Sequence, residues 1–393
     1  MKHYSSLNLL FAAALVCTSC GNQKTAEPVA EAAADSVEMK VLQDRVIELT
    51  YNTFDFEEGS TYLLKYDPQA EASLTEEKTV GGCSAIRVKL GDKVYVGRNY
   101  DFYCSTAPAV VVRNNGGKYK TIGLCNSPAS FDPWTSAETY QIRPEVLKAV
   151  PYLCCDVMSE NGLYAETNIR PLEEGLACTS TDPTKPRRCT QTFMQTMLSQ
   201  YKSLDEIIEH LNDYDWFDLQ KMGFEQSFFI TDQSGRSILI EFGANKVVWQ
   251  ESDCNGNYFQ NSDLYAMEKL GCGELRVARE KEFLPEVKTE ADIFTMMKRG
   301  AYDQFYHNDV DADYAIPEYY AEIGYNKDSY AKDPEGARKA VKEVVAKFAA
   351  YTWEQRVSEH SWESTFITAA NVTDLQLHVH FSEHYDIDFT VNF

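Results

Sequence analysis

The chain has 393 residues and is 44% hydrophobic, enough to bury one large core or two ordinary ones. Its 60 acidic against 37 basic residues leave a net charge of −23, a surface that repels phosphate backbones and excludes nucleic acid as a partner. That surface gives no long-range help to an anionic ligand either, so its recognition falls to local arginines.

The first twenty residues read as an address. Lys2 and His3 precede the apolar run "LNLLFAAALVC", which is short for a bilayer span and has the flanks of an export signal. Thr18 and Ser19 directly before Cys20 resemble a bacterial lipobox, which implies a diacylglyceryl group on Cys20 and a membrane as partner. An ordinary cleaved signal peptide is the alternative. Either reading places the protein outside the cytoplasm, in the cell envelope. Residues 21–82 read as tether and leading segment. "GNQKTAEPVAEAAADSVE" is small, polar and acidic, as a flexible tether would be. Within 38–55, Met39, Leu42, Val46 and Leu49 fall on one helical stripe, which predicts an amphipathic helix packed on the main body.

From Cys83 the period changes. In "CSAIRVKLGDKVYVGRNYDFYC", Ile86, Val88 and Leu90 alternate with polar residues, Gly91-Asp92 makes a turn, and Val94 and Val96 resume the alternation. Further strands are predicted at "AVVVR", "GLYAETNI", "QSFFITD" and "SILIEF". The tail from Ser364 reads as strand, turn and more strand. Helices are predicted at "TQTFMQTMLSQY", at "SLDEIIEHLND" with a Ser203/Glu206 capping box, and at "DPEGARKAVKEVVAKFAAY" with Asp333 as N-cap and Pro334 at the first helical position. Antiparallel strands with interspersed helices indicate an α+β fold.

Metal signals are weak. "DVDADYAIPEYY" starts like a calcium loop but lacks the glycine at its sixth and the glutamate at its twelfth position. His378 and His380 share one strand face without a third ligand. No cofactor and no metal is expected. The 11 cysteines permit disulfides in an exported protein, with no pairing legible.

Cys83 follows Gly81-Gly82 and has two readings, a structural cysteine in a hairpin or a nucleophile. A thiol needs a base. If the Gly82–Cys83 bond is cut, the new α-amine, with an ordinary pKa near 8, can accept the thiol proton. The two glycines leave that carbonyl unshielded. Arg98 and Asp101, on the second strand, would fold back beside Cys83. There a carboxylate can hold the amine and a guanidinium can favour thiolate.

These residues resemble the start of the mature choloylglycine hydrolases (bile salt hydrolases) and penicillin V acylases, linear-amide C–N hydrolases of the N-terminal-nucleophile (Ntn) superfamily. The family opens on Cys, with Gly-Arg-Asn-x-Asp about sixteen residues later. The likeness continues in order through "DVMSENGLYAETNI", "KPRRCTQTFMQTMLSQYKSLDEIIEHL", "FFITDQSGRSILIEF" with "NYFQNSD", and "LRVARE". It implies a four-layer αββα sandwich of two antiparallel sheets over residues 83–393. It implies Cys83 as nucleophile and, through its α-amine, base, with Arg98 and Asp101 positioning both. Asn168 and Asn261 would be oxyanion donors and Arg276 would complete the charge network. The implied substrate is a small amphipathic amide, with conjugated bile salts leading and fatty N-acyl amides or penicillin V as alternatives. The 82 residues before Cys83 are closer to the acid-ceramidase-like branch, in which the leading segment is cut but stays bound. A homo-oligomer is left open. A surface lipoprotein that binds an apolar ligand without turnover is the rival of another class.

Overall fold

The computed structural model describes residues 37–53, 83–104, 106–125, 147, 150–171, 182, 184–217, 224–243, 246–258, 260–261, 273–300, 350–358, 362–382 and 384–393, with scattered positions between 332 and 346. The signal, Cys20, Gly81-Gly82, the Tyr/Asp-rich stretch at 301–330, Cys178 and Cys272 lie outside the described residues.

In chain order the elements begin with β1 (Val37–Gln43), β2 (Val46–Tyr51), β3 (Cys83–Leu90) and β4 (Lys93–Tyr103). They continue with β5 (Ala109–Asn114), β6 (Thr121–Cys125), β7 (Cys154–Ser159), β8 (Leu163–Pro171) and β9 (Arg187–Cys189). Helices α1 (Phe193–Gln200) and α2 (Leu204–His210) lead to β10 (Asp215–Phe217), β11 (Phe224–Asp232), β12 (Ser237–Gly243), β13 (Lys246–Glu251) and β14 (Cys254–Gly256). The chain ends with α3 (Gly273–Phe283), α4 (Glu290–Lys298), β15 (Trp362–Asn371), β16 (Gln376–Phe381) and β17 (Ile387–Asn392).

Two sheets stack. One has nine strands in the order β1-β2-β5-β6-β7-β8-β11-β12-β13, the other six in the order β14-β3-β4-β15-β16-β17. Pairing is antiparallel except between β2 and β5, which run parallel, and in a small separate β9–β10 pair. Period-2 alternation sorts the side chains into layers. From β3 and β4, Cys83, Ala85, Val94, Val96, Tyr100 and Phe102 face the other sheet, while Ile86, Val88 and Tyr95 face outward. That outward face is covered by α3 and α4 through Val277, Ile293, Met296 and Met297. The outer face of the nine-stranded sheet is covered by α1 and α2 through Phe193, Met197, Leu198 and Ile207. The architecture is the expected αββα sandwich. Burying each such side chain contributes about 1.5–3 kcal/mol.

Local signals explain most elements. Gly91 takes φ +64° in the two-residue turn between β3 and β4, a conformation in which a Cβ would be strained. Ser203 caps α2 by accepting from Glu206 N at 3.2 Å, while the Glu206 carboxylate accepts from Lys202 N rather than closing the box on Ser203. Asp333 accepts from Gly336 N at 3.0 Å, as an N-cap should.

One expectation is overturned. Where a helix is expected within 38–55, residues 37–51 form the β1–β2 hairpin, joined by a turn in which Arg45 sits at φ +57°. Val46 points between the sheets, Ile47 and Leu49 point to the helix side, and all three are fully buried. A strand covered on both faces is apolar at neighbouring positions, so its residues also satisfy a helical stripe.

Candidate active site

Cys83 is the first residue of β3, opposite Tyr100 of β4, and is 1% exposed. Its backbone N–H donates to Asn257 Oδ1 at 2.5 Å, and Asn257 Nδ2 donates to the Ile169 carbonyl at 2.5 Å. Asn257 follows directly on β14, the strand beside β3, which is what brings it to the Cys83 nitrogen. Burial pushes the Cys83 thiol up to about 12; Arg98, the Asp101 backbone N–H and Arg276 pull the other way, and the Asp101 charge adds to the rise. In the uncut chain the sulfur is therefore a protonated thiol at neutral pH.

Arg98 lies on the Cys83 face of the hairpin, fully buried. Its guanidinium donates to Asp156 Oδ2 at 2.6 Å, Glu166 Oε2 at 3.1 Å and the Thr167 carbonyl at 2.6 Å, and stacks 4.7 Å from the Tyr100 ring centroid. Burial alone would lower the Arg98 pKa, but the two carboxylates outweigh it and hold the guanidinium charged. One guanidinium cannot fully offset two buried carboxylates. Burial accordingly raises Asp156, and pushes Glu166 up to about 7. Tyr164 donates its hydroxyl to Asp156.

Asp101 is one step out of phase with Arg98, so its side chain leaves from the opposite face. There it bonds Arg276 of α3 and accepts from Ser364 Oγ at 2.5 Å. Arg276 also donates to the Gly300 carbonyl at 2.6 Å. Thus Asp101 reaches the thiol through its backbone N–H, while its carboxylate anchors the arginine behind the strand.

Asn168 of β8 is fully buried. With its carboxamide oriented by its neighbours, it donates to Glu166 Oε2 at 2.9 Å and to the Thr167 carbonyl at 3.0 Å, and accepts from Gly256 N at 3.3 Å. Asn261 lies in the loop after β14. Glu241, buried on β12, accepts from the Gln260 and Asn261 backbone N–H groups at 3.1 and 2.8 Å, which fixes that loop. Asn255 donates to Glu166 Oε1 at 2.8 Å and accepts from Ser227 Oγ at 3.0 Å. The sheet interface is therefore apolar over most of its area and polar around Cys83.

Of the six residues singled out from sequence, Cys83 and Arg98 share one face of the hairpin. Asp101 and Arg276 pair on the other, Asn168 adjoins Glu166, and Asn261 is held by Glu241. Asn257, Asp156, Glu166 and Glu241 went unremarked. Asp156 and Glu166 lie ten apart in "DVMSENGLYAE", and only pairing across the β7–β8 turn makes them neighbours. The seven described cysteines, 83, 104, 125, 154, 155, 189 and 254, are in no disulfide.

A buried thiol with its backbone nitrogen held by an amide oxygen, with one fixed guanidinium on its own face and a second behind the strand, is suited to acyl transfer. Residues 83–255 match the family described as linear amide C-N hydrolases, choloylglycine hydrolase family, and the match begins at Cys83 itself. The chain is an amidohydrolase acting on linear amides. Among solved structures it is similar to a variant of conjugated bile acid hydrolase from Clostridium perfringens, at 13% identity and TM-score 0.48, covering 79% of this chain and 92% of that one. It is also similar to penicillin V acylase from Agrobacterium tumefaciens, at 12% identity and TM-score 0.39, covering 79% and 86%. A search of curated proteins gave no match.

Proposed function

We propose that the protein hydrolyses amides through Cys83, exposed as an N-terminal residue by cleavage of the Gly82–Cys83 bond. The observation that carries this reading is the coincidence of two things at one residue: the family match begins at Cys83, and its nitrogen already has a side-chain acceptor in Asn257. After the cut, Asn257 orients the new amine beside the thiol. The amine takes the thiol proton, so the buried sulfur is activated by its own residue rather than by a histidine. Sγ attacks the substrate carbonyl and the C–N bond breaks as the ammonium protonates the departing amine. Water then opens the thioester to a carboxylic acid. Arg98 and Arg276 favour the thiolate. Asn261, on the loop fixed by Glu241, supplies the oxyanion donor. The Asn168 N–H groups are engaged by Glu166 and Thr167, so Asn168 serves there only if one of those bonds opens.

The substrate reading is a conjugated bile salt, with an apolar acyl side and a small amine. A fatty N-acyl amide is the second reading, favoured by the leading hairpin. Strands β1 and β2 belong to the nine-stranded sheet, which supports a leading segment that stays bound after the cut. Export and anchoring through Cys20 complete the proposal.

Intact mass under denaturing conditions tests the mechanism. Two fragments from wild type, one beginning at Cys83, with an uncut and inert Cys83→Ala, are expected. A single uncut and inert wild-type chain overturns the proposal. Hydrolysis of glycocholate beside an N-acylethanolamide separates the two substrates, and activity on neither rejects both.

A further inference from the structure

The layer between the six-stranded sheet and α3–α4 is lined largely by apolar side chains, and a buried polar cluster lies directly behind residues 83–84 and 99–101. There Ser84, Asn99, Asp101, Arg276 and Glu280 are all buried, with Ser84, Asn99 and Glu280 fully so. Ser84 and Asn99 are paired across the hairpin, so both leave on this face. Ser84 Oγ donates to Glu280 Oε1 at 2.5 Å. Glu280 Oε2 and both amide atoms of Asn99 have no hydrogen-bond partner among the described residues. Gly300 closes the far side, since a Cβ there would collide with Glu280 Oε1. Polar groups in such a layer are costly. Their clustering at the back of the strand that carries Cys83 points to a task.

Arg276 and Glu280 are four residues apart on α3, hence on one helix face. They do not pair with each other. Arg276 bonds Asp101 of β4 and Glu280 bonds Ser84 of β3. We propose that Glu280 is a positioning residue: through the Ser84 hydroxyl it fixes the first turn of backbone after Cys83, so that α3 clamps both strands of the hairpin in the register that presents the thiol. This rests on the reading of Cys83 as nucleophile. The clamp needs a hydrogen-bond acceptor at position 280 but no charge. Burial, only partly offset by Ser84 and Arg276, pushes the Glu280 carboxyl up to about 8, with Asp101 adding to the rise, so the side chain is mostly neutral at pH 7. Above that pH a new anion would stand beside Asp101 and behind the thiol, with Arg276 as the nearby cation.

The test compares Ser84→Ala, Glu280→Leu and Glu280→Gln in the full chain. The readouts are kcat, KM and the rate of Cys83 alkylation by iodoacetamide. Ser84→Ala and Glu280→Leu are expected to lower kcat by about tenfold with KM changed less than about threefold, and to slow alkylation in parallel. Glu280→Gln, which keeps the acceptor, is expected to restore the rate at pH 7 to within about threefold of wild type and to remove its decline above pH 8. Should Glu280→Leu fail to fold, Ser84→Ala carries the same prediction with a smaller change of shape. The inference is overturned if Ser84→Ala keeps wild-type kcat and alkylation, or if Glu280→Gln is as impaired as Glu280→Leu. An inert wild type would instead remove the nucleophile reading, and this inference with it.

Discussion

At Arg98 one guanidinium meets two carboxylates and a carbonyl with no water-exposed surface. Removing it leaves Asp156 and Glu166 without their cation, so Arg98→Met is expected to cost about 3–5 kcal/mol in urea unfolding, besides abolishing turnover. Glu166 and Glu280 make a second prediction. Both have folded-state pKa values raised by burial, from the ordinary 4.5 to about 7 and about 8. Between those values the native chain holds more protons than the unfolded one, so each contributes stability that is present below pH 4.5 and is lost as pH rises through 7 and 8. Glu280→Gln should thus be more stable relative to wild type at pH 9 than at pH 5, and equal changes at both would contradict the assignment.

The elements that carry this chemistry depend on close approach. Gly97 of β4 lies under α4, and a Cβ there would meet Ile293 Cγ2 at 2.7 Å and Met297 Sδ at 3.0 Å. Gly97→Ala is expected to lift α4 and cost about 1–3 kcal/mol, measured as a fall in the urea midpoint with unchanged slope. Much of this level was legible in the chain. The β3–β4 hairpin shows plain alternation around Gly91, and the caps at Ser203 and Asp333 are local hydrogen bonds with local signatures. What stayed hidden was non-local. The β1–β2 turn uses Asp44-Arg45, with no glycine, proline or asparagine to announce it. Arg45 is held there by contacts far along the chain, donating to the Thr106 carbonyl at 3.0 Å and lying 3.9 Å from the Tyr385 ring centroid. Likewise Asn257 and Glu280 come to Cys83 and Ser84 only through sheet pairing and helix docking, 174 and 196 residues away in sequence.

Across the whole molecule, the β1–β2 hairpin, which precedes the proposed cut, is part of the sandwich. Ile47, Leu49 and Val46 are fully buried in the two layers that flank the nine-stranded sheet. A leading fragment is therefore expected to co-elute with the remainder on size exclusion under native conditions after the cut, and to separate only in denaturant. Leu49→Ala should weaken that association, at a cost of about 2–5 kcal/mol. Elution of the cut chain without its leader would refute this.

The β1–β2 hairpin also governs what the sheet shows to the outside. Strand β1 is the present edge, and it is largely exposed and interrupted by Glu38 and Lys40, charges that discourage strand addition by another molecule. Behind it stands β5, "AVVVRN", a run of β-branched residues paired along its length with β2. Were the leader to depart, that run would become the rim, with an unmated ladder of amides and carbonyls and the composition of a steric zipper. The β1–β2 hairpin thus acts as a selvedge, and keeping it after the proposed cut would protect the solubility of the cut protein.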